Sequence, residues 1–379
     1  MARNDQRPMR IGIIGLGGWG ASGHLNAFLS SPHAEIVAVC DVVPGRADEV
    51  AQQFDVESAF TDYRDLLRLP NLDAVDIATP NKFHREITLA ALAAGKHVLC
   101  EKPLALTVEH AQEMTDAAAK AGVHAAVNFV HRFVPSARYV KQLIDEGALG
   151  KIYHCNLVYE QGWLTDPHFP RTWRLDASVA GTGVLGDLGV HLIDLARWWL
   201  STEITSVSGR LTTFTPRRPL PGAPVAAMPR IANSAVSGVP VDPSAGLVDV
   251  DVDDEAAFLA TFANGAQGMI FSSRNCPGYR NYQRVEIFGS DGGLIFDNEK
   301  RGTVEASLGG SMWRRNAWAV LPVPRDIMRD DAKGGMHYFA EDVVTGSHNA
   351  PTFADGLAAQ KVMDAVVRSA RSRAWVDIA

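Results

Sequence analysis

The residue types best suited to proton transfer stand together in segment 173–200. Asp187, His191 and Asp194 occur there at the spacing i, i+4 and i+7, which places their side chains on one face of a helix. An imidazole flanked by two carboxylates can accept and release a proton near neutral pH, and the glycines around it leave room for a ligand. A structural alternative is a helix in which Asp187 is the N-terminal cap and the histidine is simply buried. The segment by itself leaves both interpretations open.

A second chemical pattern, GLGGWG, occupies residues 15–20. The apolar run at 10–15 is typical of a buried strand, and the segment after the glycines is compatible with a helix. A further apolar run at 34–41 ends in Asp41, about 20 residues beyond the glycines. This order predicts a dinucleotide site, with the pyrophosphate against backbone N–H groups and Asp41 on the ribose hydroxyls. A glycine-rich connector without a nucleotide is the alternative.

The charges near the ribose decide between NAD and NADP. Asp41 would repel a 2′-phosphate, which favours NAD, whereas Arg46 nearby keeps NADP open. We therefore predict NAD as the cofactor, with NADP less favoured.

Lys102 is the third residue suited to chemistry, within Glu101-Lys102-Pro103 after an apolar run. An ammonium group at the end of a strand, fixed by the following proline, could hold a substrate hydroxyl beside a nicotinamide ring. A solvated surface lysine is the alternative, since lysines are mostly exposed. Position alone does not separate the two.

Elements that alternate between strand and helix surround these residues. Strand-like runs at 73–80, 96–103 and 123–129 follow the first two, with helix-like segments between them. The alternation predicts right-handed crossovers and an α/β fold with a doubly wound parallel Rossmann sheet. Ligands of such sheets bind beyond the carboxyl ends of the strands. One cleft is therefore expected to be lined by residues 15–20, Asp41, Thr79, Pro80, Asn81, Glu101, Lys102, Pro103 and Asn128.

The second half of the chain has a different pattern. Beyond about residue 252, alternating apolar segments separated by Asn-Gly, Pro-Gly and Asp-Gly-Gly predict antiparallel strands. They indicate a C-terminal α+β domain with a large, mostly antiparallel open sheet, one face against helices and the other free for a partner. We predict an NAD-binding domain over 1–128 and a substrate-binding and oligomerisation domain over 129–379. Residues 216–248, rich in proline, alanine and serine, are predicted to form a long surface excursion.

A loop with several aromatic residues leads into segment 173–200. It contains Trp163, Arg171 and Trp173. Flat aromatic faces beside hydrogen-bonding groups suit the ring of a polyhydroxylated substrate, and packing is the alternative role of the tryptophans.

Composition and charge argue against several classes of function. A net charge of −7 argues against a nucleic-acid or anionic-membrane surface. No apolar run approaches the ~18 residues needed to cross a bilayer, and the N-terminus lacks the apolar core of a signal peptide, so we predict a cytoplasmic protein. The 4 cysteines and 12 histidines fall in no metal-binding pattern, so we predict no metal site.

Three motifs stand in a characteristic order: GLGGWG with Asp41, CEKP at 100–103 and GTGVLGDLGVHLID at 181–194. Together they resemble the glucose–fructose oxidoreductase/inositol dehydrogenase/rhizopine-catabolism (Gfo/Idh/MocA) family of NAD(P)-dependent oxidoreductases. The likeness extends over nearly the whole chain and includes NFVHRF at 128–133. The chain departs from the family pattern in two small ways, a threonine inside the usual glycine triplet and HRF in place of a double-arginine form.

The resemblance implies a catalytic group of Lys102, Asp187 and His191, with His191 the favoured general base and Lys102 the alternative base. It implies no defined role for Asp194, for which helix packing or orientation of the histidine is expected. The expected cofactor contacts are Gly15, Gly17, Gly18, Trp19, Gly20, Asp41, Arg46, Thr79, Pro80, Asn81, His84, Glu101 and Lys102. The expected substrate contacts are Asn128, Arg132, Trp163, Arg171, Trp173, Asp187 and His191.

The implied reaction is hydride transfer between the nicotinamide and a secondary hydroxyl of a sugar, a sugar derivative or an inositol-like cyclitol. The resemblance also implies a homodimer or homotetramer built through the C-terminal sheet. Two alternatives stay open: an NAD-dependent glycosidase or lyase that oxidises its substrate transiently, and a non-catalytic protein that senses NAD or sugar.

Overall fold

Six parallel strands form the first sheet of the computed structural model, which describes residues 7–222, 246–309, 317–329 and 334–378. The strands are Met9–Ile14 (β1), Ala34–Cys40 (β2), Ser58–Phe60 (β3), Ala74–Ile77 (β4), His97–Cys100 (β5) and Ala125–Val127 (β6). They pair in the order β3-β2-β1-β4-β5-β6, which confirms the predicted doubly wound sheet. Strand β3 was not predicted, because its three half-buried residues form no apolar run.

Helices connect these strands. They are Leu25–Leu29 (α1), Arg46–Phe54 (α2), Tyr63–Leu67 (α3), His84–Ala93 (α4) and Val108–Ala121 (α5). The longest, α5, begins where the Thr107 side chain accepts a hydrogen bond from the His110 backbone N–H, and ends at Gly122 with φ +66°. Because helices cover both faces of the sheet, the residues of β1 and β4 are almost all buried.

Within the described ranges, nine strands form the second sheet, which is mostly antiparallel as predicted. They are Ile152–Glu160 (β7), Ile204–Thr212 (β8), Glu255–Phe262 (β11), Gln267–Ser273 (β12), Tyr282–Gly289 (β13), Gly292–Asp297 (β14), Thr303–Leu308 (β15), Ala319–Pro322 (β16) and Val376–Asp377 (β17). The order is β16-β15-β14-β13-β7-β12-β11-β8-β17. Strands β7 and β12 pair in parallel at its centre, while β12 pairs with β11 antiparallel.

One face of this sheet is covered and the other is open. The helices of the second half are Pro135–Asp145 (α6), Ala177–Ala180 (α7), Val190–Leu200 (α8), Arg325–Arg329 (α9), Gly335–Thr345 (α10) and Phe353–Ser372 (α11). Of these, α6, α8 and α11 cover the sheet and share the main core with its strands. On the opposite face, Leu259 of β11 and Met269 of β12 are 48% and 53% exposed. The sequence pattern also predicts helices near 134–146, 335–345 and 353–372, and the structure confirms them within a residue or so.

The helical stretch 177–200 is long and apolar enough, by length and composition, to cross a membrane, which the sequence analysis did not anticipate. In its most apolar window, 78% of the residues are buried inside the protein. Nearly every residue of α8 is buried, Trp199 completely. Its apolar character therefore matches its position in the core of the second half.

Helix α10 returns to the first sheet. Met336, Phe339 and Ala340 pack in one core cluster with Met9 of β1 and Phe28 of α1. The division at residue 128 stays a prediction, and this cluster shows that apolar contacts cross it.

The described ends of segment 216–248 pair with each other. Arg217–Pro219 (β9) and Leu247–Asp249 (β10) form a two-stranded antiparallel ribbon, and residues 223–245 lie outside the described residues. Arg218 is fully buried, with its guanidinium donating to the backbone oxygens of Leu164 and Asp166 at 2.8 and 2.7 Å. The described start of this segment is therefore anchored to the aromatic loop that precedes segment 173–200.

Candidate active site

Lys102 stands at the carboxyl end of β5, where the first sheet meets the second half of the chain. Its Nζ donates hydrogen bonds to the backbone oxygen of Asp187 at 2.8 Å and to Asp187 Oδ1 at 3.2 Å. Asp187 lies in the turn that leads into α8, the helix that carries His191. The contact therefore joins the dinucleotide sheet directly to the predicted catalytic helix.

Asp187 also faces Arg274, a residue that the sequence analysis did not single out. The Nη1 of Arg274 lies 3.6 Å from Asp187 Oδ2, and its side chain is fully buried. Burial alone would raise the pKa of Asp187, but Lys102, Arg174 and Arg274 outweigh it and bring the pKa to about 2. Asp187 is therefore ionised at neutral pH.

Asp253 fixes the backbone just before Asp187. Its Oδ1 and Oδ2 accept hydrogen bonds from the backbone N–H groups of Gly183 and Leu185, both at 2.7 Å. A Cβ on Gly183 would lie 1.9 Å from the Asp253 backbone oxygen, so the close approach requires glycine. Arg274 donates to that same oxygen at 3.0 Å. The sequence DVDVDDE at 249–255 predicts a charged start of a strand, and in the structure Asp253 of this run also supports the glycine-rich turn.

His191 lies in a pocket of aromatic rings. It packs edge-on against His131, with ring centroids 4.4 Å apart, and against Phe129 at 6.3 Å. Burial, His131 and Lys102 together lower the pKa of His191 well below its ordinary value. The imidazole is therefore neutral, and its Nδ1 has no hydrogen-bond partner in the described part of the chain. A neutral imidazole with an unused nitrogen can accept a proton.

The two carboxylates predicted to flank His191 have cationic partners in the structure. Leu185–Gly189 form a π-helical turn, so the side chains before and after it do not follow the ordinary α-helical repeat. Asp187 faces two cations, and Asp194 is paired with Arg132. Helix packing was one role expected for Asp194, and in the structure its carboxylate pairs with Arg132.

Arg132 belongs to a buried ion-pair network. Its Nε donates to Asp194 Oδ2 at 2.8 Å, and its Nη2 donates to Asp355 Oδ1 at 2.9 Å. Asp355 lies in the first turn of α11, so the network ties residues 130–133 to two helices of the second half. Carboxylates thus accept from two nitrogens of its guanidinium, and the predicted contact between Arg132 and substrate stays a prediction.

The glycine loop has the shape that a dinucleotide needs. Gly15 has φ +97°, and a Cβ on Gly20 would lie 2.0 Å from the Gly15 backbone oxygen, so the turn is too tight for side chains. A Cβ on Gly17 or Gly18 would meet nothing within 4 Å, which leaves open space above the loop. The residues present therefore fit a pyrophosphate against this backbone.

Asp41 is placed at the end of β2 as predicted for a ribose contact. Its Oδ2 accepts from the Leu16 backbone N–H at 2.7 Å, and its Oδ1 accepts from that of Val43 at 2.9 Å. Arg46 donates hydrogen bonds from Nη1 to Glu49 Oε2 at 2.9 Å and from Nε to the Leu16 backbone oxygen at 3.1 Å. The arrangement favours NAD, because the acid is held at the loop and the arginine is already engaged.

The residues after β4 divide into two groups. Thr79 has a buried hydroxyl without a hydrogen-bond partner in the described ranges, so this hydroxyl is available to bind a ligand. Asn81, just after Pro80, instead donates to the backbone oxygen of Ala180 at 2.9 Å, and both nitrogens of His84 lie 3.0 Å from backbone oxygens. Asn81 and His84 are thus already engaged in bracing the loops around the cleft.

Glu101 ends a buried polar cluster that the sequence analysis missed. His24 Nε2 lies 2.9 Å from Glu101 Oε1, and His24 Nδ1 lies 2.8 Å from Asp76 Oδ2. Asn128 and Trp19 also donate to Glu101 Oε1, at 2.7 and 3.2 Å. Asn128, predicted to contact substrate, therefore has an internal partner in Glu101. The available signals were an acid inside the apolar strand β4 and a histidine just after the glycine loop.

The aromatic loop lies beside Asp187. Trp163 packs under Arg274, with the guanidinium carbon 5.2 Å from the ring centroid, and Arg174 lies 4.3 Å over Trp173. Arg171 is paired with Asp176 at 3.1 Å. The structure thus brings Trp163 to the Asp187 side of the site. Arg171 and Arg174 each have a partner already, Asp176 and the ring of Trp173.

Two protein-family models together match most of the chain. Residues 9–129 match the family described as "Oxidoreductase family, NAD-binding Rossmann fold", and residues 137–295 match "GFO/IDH/MocA C-terminal domain". Levoglucosan dehydrogenase of Pseudarthrobacter phenanthrenivorans is 34% identical over 98% of both chains. Myo-inositol 2-dehydrogenase of Thermotoga maritima is 30% identical over 92% of both.

Solved structures agree with these sequence matches. A levoglucosan dehydrogenase in complex with NADH and levoglucosan is 32% identical, with a TM-score of 0.86 over 98% of this chain and 100% of that one. An oxidoreductase domain protein from Kribbella flavida is 36% identical, with a TM-score of 0.87 over 98% of this chain and 99% of that one. Both the sequence and the three-dimensional similarity extend over both halves of the chain.

Proposed function

The chain belongs to the Gfo/Idh/MocA oxidoreductase family, and we propose that it oxidises a secondary hydroxyl of a sugar, sugar derivative or cyclitol with NAD. The observation that carries this proposal is the contact between Lys102 and Asp187. It places an ammonium group from the carboxyl edge of a dinucleotide sheet against the helix that bears a neutral histidine. A hydroxyl bound there would meet a hydrogen-bond donor and a proton acceptor together.

The glycine loop, Asp41 and Thr79 would hold the cofactor. When bound, NAD supplies a nicotinamide ring that accepts a hydride from the substrate carbon. The chain itself supplies the binding surface: open space above Gly17 and Gly18, a fixed carboxylate for the ribose, and an unused buried hydroxyl.

His191 and Lys102 have separate tasks in the proposed oxidation. His191 takes the hydroxyl proton, for which its neutral ring and unpartnered Nδ1 are suited. Lys102 donates to the same oxygen and stabilises the negative charge that develops on it. Asp187 and Arg274 hold the ammonium group in place, because the ionised carboxylate is itself fixed between two cations.

The assignment is tested by a panel of anhydrosugars, inositols, hexoses and glycosides, with levoglucosan first because of the 34% identical relative. We expect NADH to accumulate in proportion to the substrate consumed. Release of an aglycone without NADH would indicate a glycosidase or lyase, and tight sugar binding without turnover would indicate a sensor. Neither alternative gains support from the relatives described above, which are named dehydrogenases.

The open face of the second sheet is the surface that we propose for self-association. Leu259 and Met269 are opposite each other on β11 and β12, and both are about half exposed. We expect the wild-type chain to have two or four times the chain mass in light scattering, and the double variant Leu259→Glu, Met269→Glu to shift toward the monomer. Leu29→Glu, an equally exposed leucine on α1, is the control and should leave the mass unchanged. A cytoplasmic location likewise remains our proposal.

A further inference from the structure

We propose that Asp76, His24 and Glu101 form a buried anion that makes the cofactor site bind the oxidised nicotinamide more tightly than the reduced one. The inference rests on the proposed NAD site, but it does not depend on which sugar is oxidised. Asp76 and His24 have no place in the proton and hydride transfer described above, so the cluster is unexplained by that reaction.

The three side chains form a continuous hydrogen-bonded chain inside the first sheet. The side chains of His24 and Asp76 are fully buried, and that of Glu101 is 12% exposed. His24 Nδ1 lies 2.9 and 2.8 Å from the two oxygens of Asp76, and His24 Nε2 lies 2.9 Å from Glu101. Both ring nitrogens of one imidazole therefore face carboxylates.

Counting protons gives the charge of the cluster. A neutral imidazole donates from one nitrogen alone, so two such hydrogen bonds require one further proton, either on the ring or on a carboxyl group. In both arrangements, two carboxyl groups and one imidazole carry a net charge of −1. Burial opposes charge on His24, but the two carboxylates outweigh it and raise its pKa to about 10. Burial also raises the pKa of Asp76, so the two groups share the proton and the net charge is the same wherever it lies.

The anion reaches the cleft through Glu101. Its Oε2 accepts the backbone N–H of Lys102 at 3.0 Å, so the carboxylate adjoins the residue that meets the reacting hydroxyl. The Lys102 ammonium is shared between Glu101 and the ionised Asp187, which lies 3.2 Å from it, so removal of one charge from the cluster makes the cleft less negative. Buried charges of this kind are little screened by salt.

A nearby negative charge distinguishes the two states of the cofactor. The nicotinamide ring is cationic in NAD⁺ and neutral in NADH, while the rest of the molecule is the same. A fixed anion therefore favours NAD⁺ by an amount that appears in the ratio of the two dissociation constants. A purely structural role would change both constants together and leave their ratio unaltered.

The test measures Kd for NAD⁺ and for NADH by calorimetry in wild type, Asp76→Asn and Glu101→Gln. Each variant replaces one carboxylate by a neutral amide with little change of shape. The titrations are run at pH 6, below the ordinary pKa of histidine, so that the extra proton stays in the cluster and its net charge changes from −1 to zero. We expect the ratio Kd(NAD⁺)/Kd(NADH) to rise about three- to tenfold in both variants. The matched control is Asp73→Asn, which removes a carboxylate just before β4, at the opposite end of the strand, where it pairs with Arg7. Its ratio should stay at the wild-type value.

A ratio unchanged in both Asp76→Asn and Glu101→Gln would overturn the inference, as would an equal shift in Asp73→Asn. Circular dichroism checks that each variant is folded, and if the buried Asp76→Asn is not, Glu101→Gln decides alone. A wild-type chain that binds neither nucleotide would overturn the cofactor site and this inference together. The expected shift in a chain that oxidises no sugar of the panel would support the inference while the proposed substrate class fails.

Discussion

Replacing Lys102 with methionine is expected to lower kcat/KM for the best sugar of the panel about 10³-fold, while Kd for NAD stays within about threefold of wild type. Methionine keeps the unbranched shape of the side chain but removes the donor that stabilises charge on the reacting oxygen. Asp187 loses the contact at 3.2 Å and retains Arg274 as its cation. Steady-state kinetics and calorimetry with NAD measure the two effects separately.

Lys96 provides the matched control for this variant. It stands just before β5, the strand that Lys102 follows, and its ammonium group donates to the Leu72 backbone oxygen at 2.8 Å. Lys96→Met should therefore keep turnover near the wild-type value. Equal losses in the two variants would trace the effect to the stability of the strand and would remove Lys102 from the reaction.

Replacing His191 with alanine is expected to lower kcat at least ~100-fold, with NAD affinity nearly intact. The ring is the group in the site that can take the hydroxyl proton, because it is neutral and its Nδ1 is unused. His131→Asn is the control for packing, since His131 touches the same ring at 4.4 Å but is not assigned the proton. We expect less than about a tenfold loss there.

The pH dependence of kcat/KM separates the two candidate bases. A histidine base must be neutral, and because the pKa of His191 lies well below its ordinary value, wild-type activity should persist below pH ~6. It should fall only where the imidazole finally gains its proton. If Lys102 were the base, activity would instead climb through alkaline pH, where lysine side chains ordinarily lose their proton. Wild-type turnover in His191→Ala would likewise exclude the histidine.

Local sequence features predicted the first sheet well. The glycine turn of residues 15–20 and the acid at the end of β2 lie within one short supersecondary unit, so their meaning depends on few distant contacts. Helix α11 was equally predictable from the sequence, because its apolar repeat runs through five turns and a capping box at Thr352 and Asp355 marks its start.

The support of the site could not be predicted in the same way. Asp253 and Arg274 act on Gly183 and Asp187 from 70 and more positions along the chain, and neither stands in a recognisable motif. The π-helical turn also has no composition signal, so its departure from ordinary helical spacing could not be predicted. Long-range pairing and a local change of helical pitch both depend on the completed fold.

The return of α10 to the first sheet has a consequence for how the protein is made and how it could be recombined. Met336, Phe339 and Ala340 complete the apolar core around β1 and α1, so the cofactor half gains its last cover after some 340 residues have been synthesised. A chain that ends at residue 128 leaves that core open to water and to other nascent chains. An exchange of cofactor-binding halves between relatives would accordingly have to include α10. This helix packs in the core of the first sheet although it lies in the second half of the sequence.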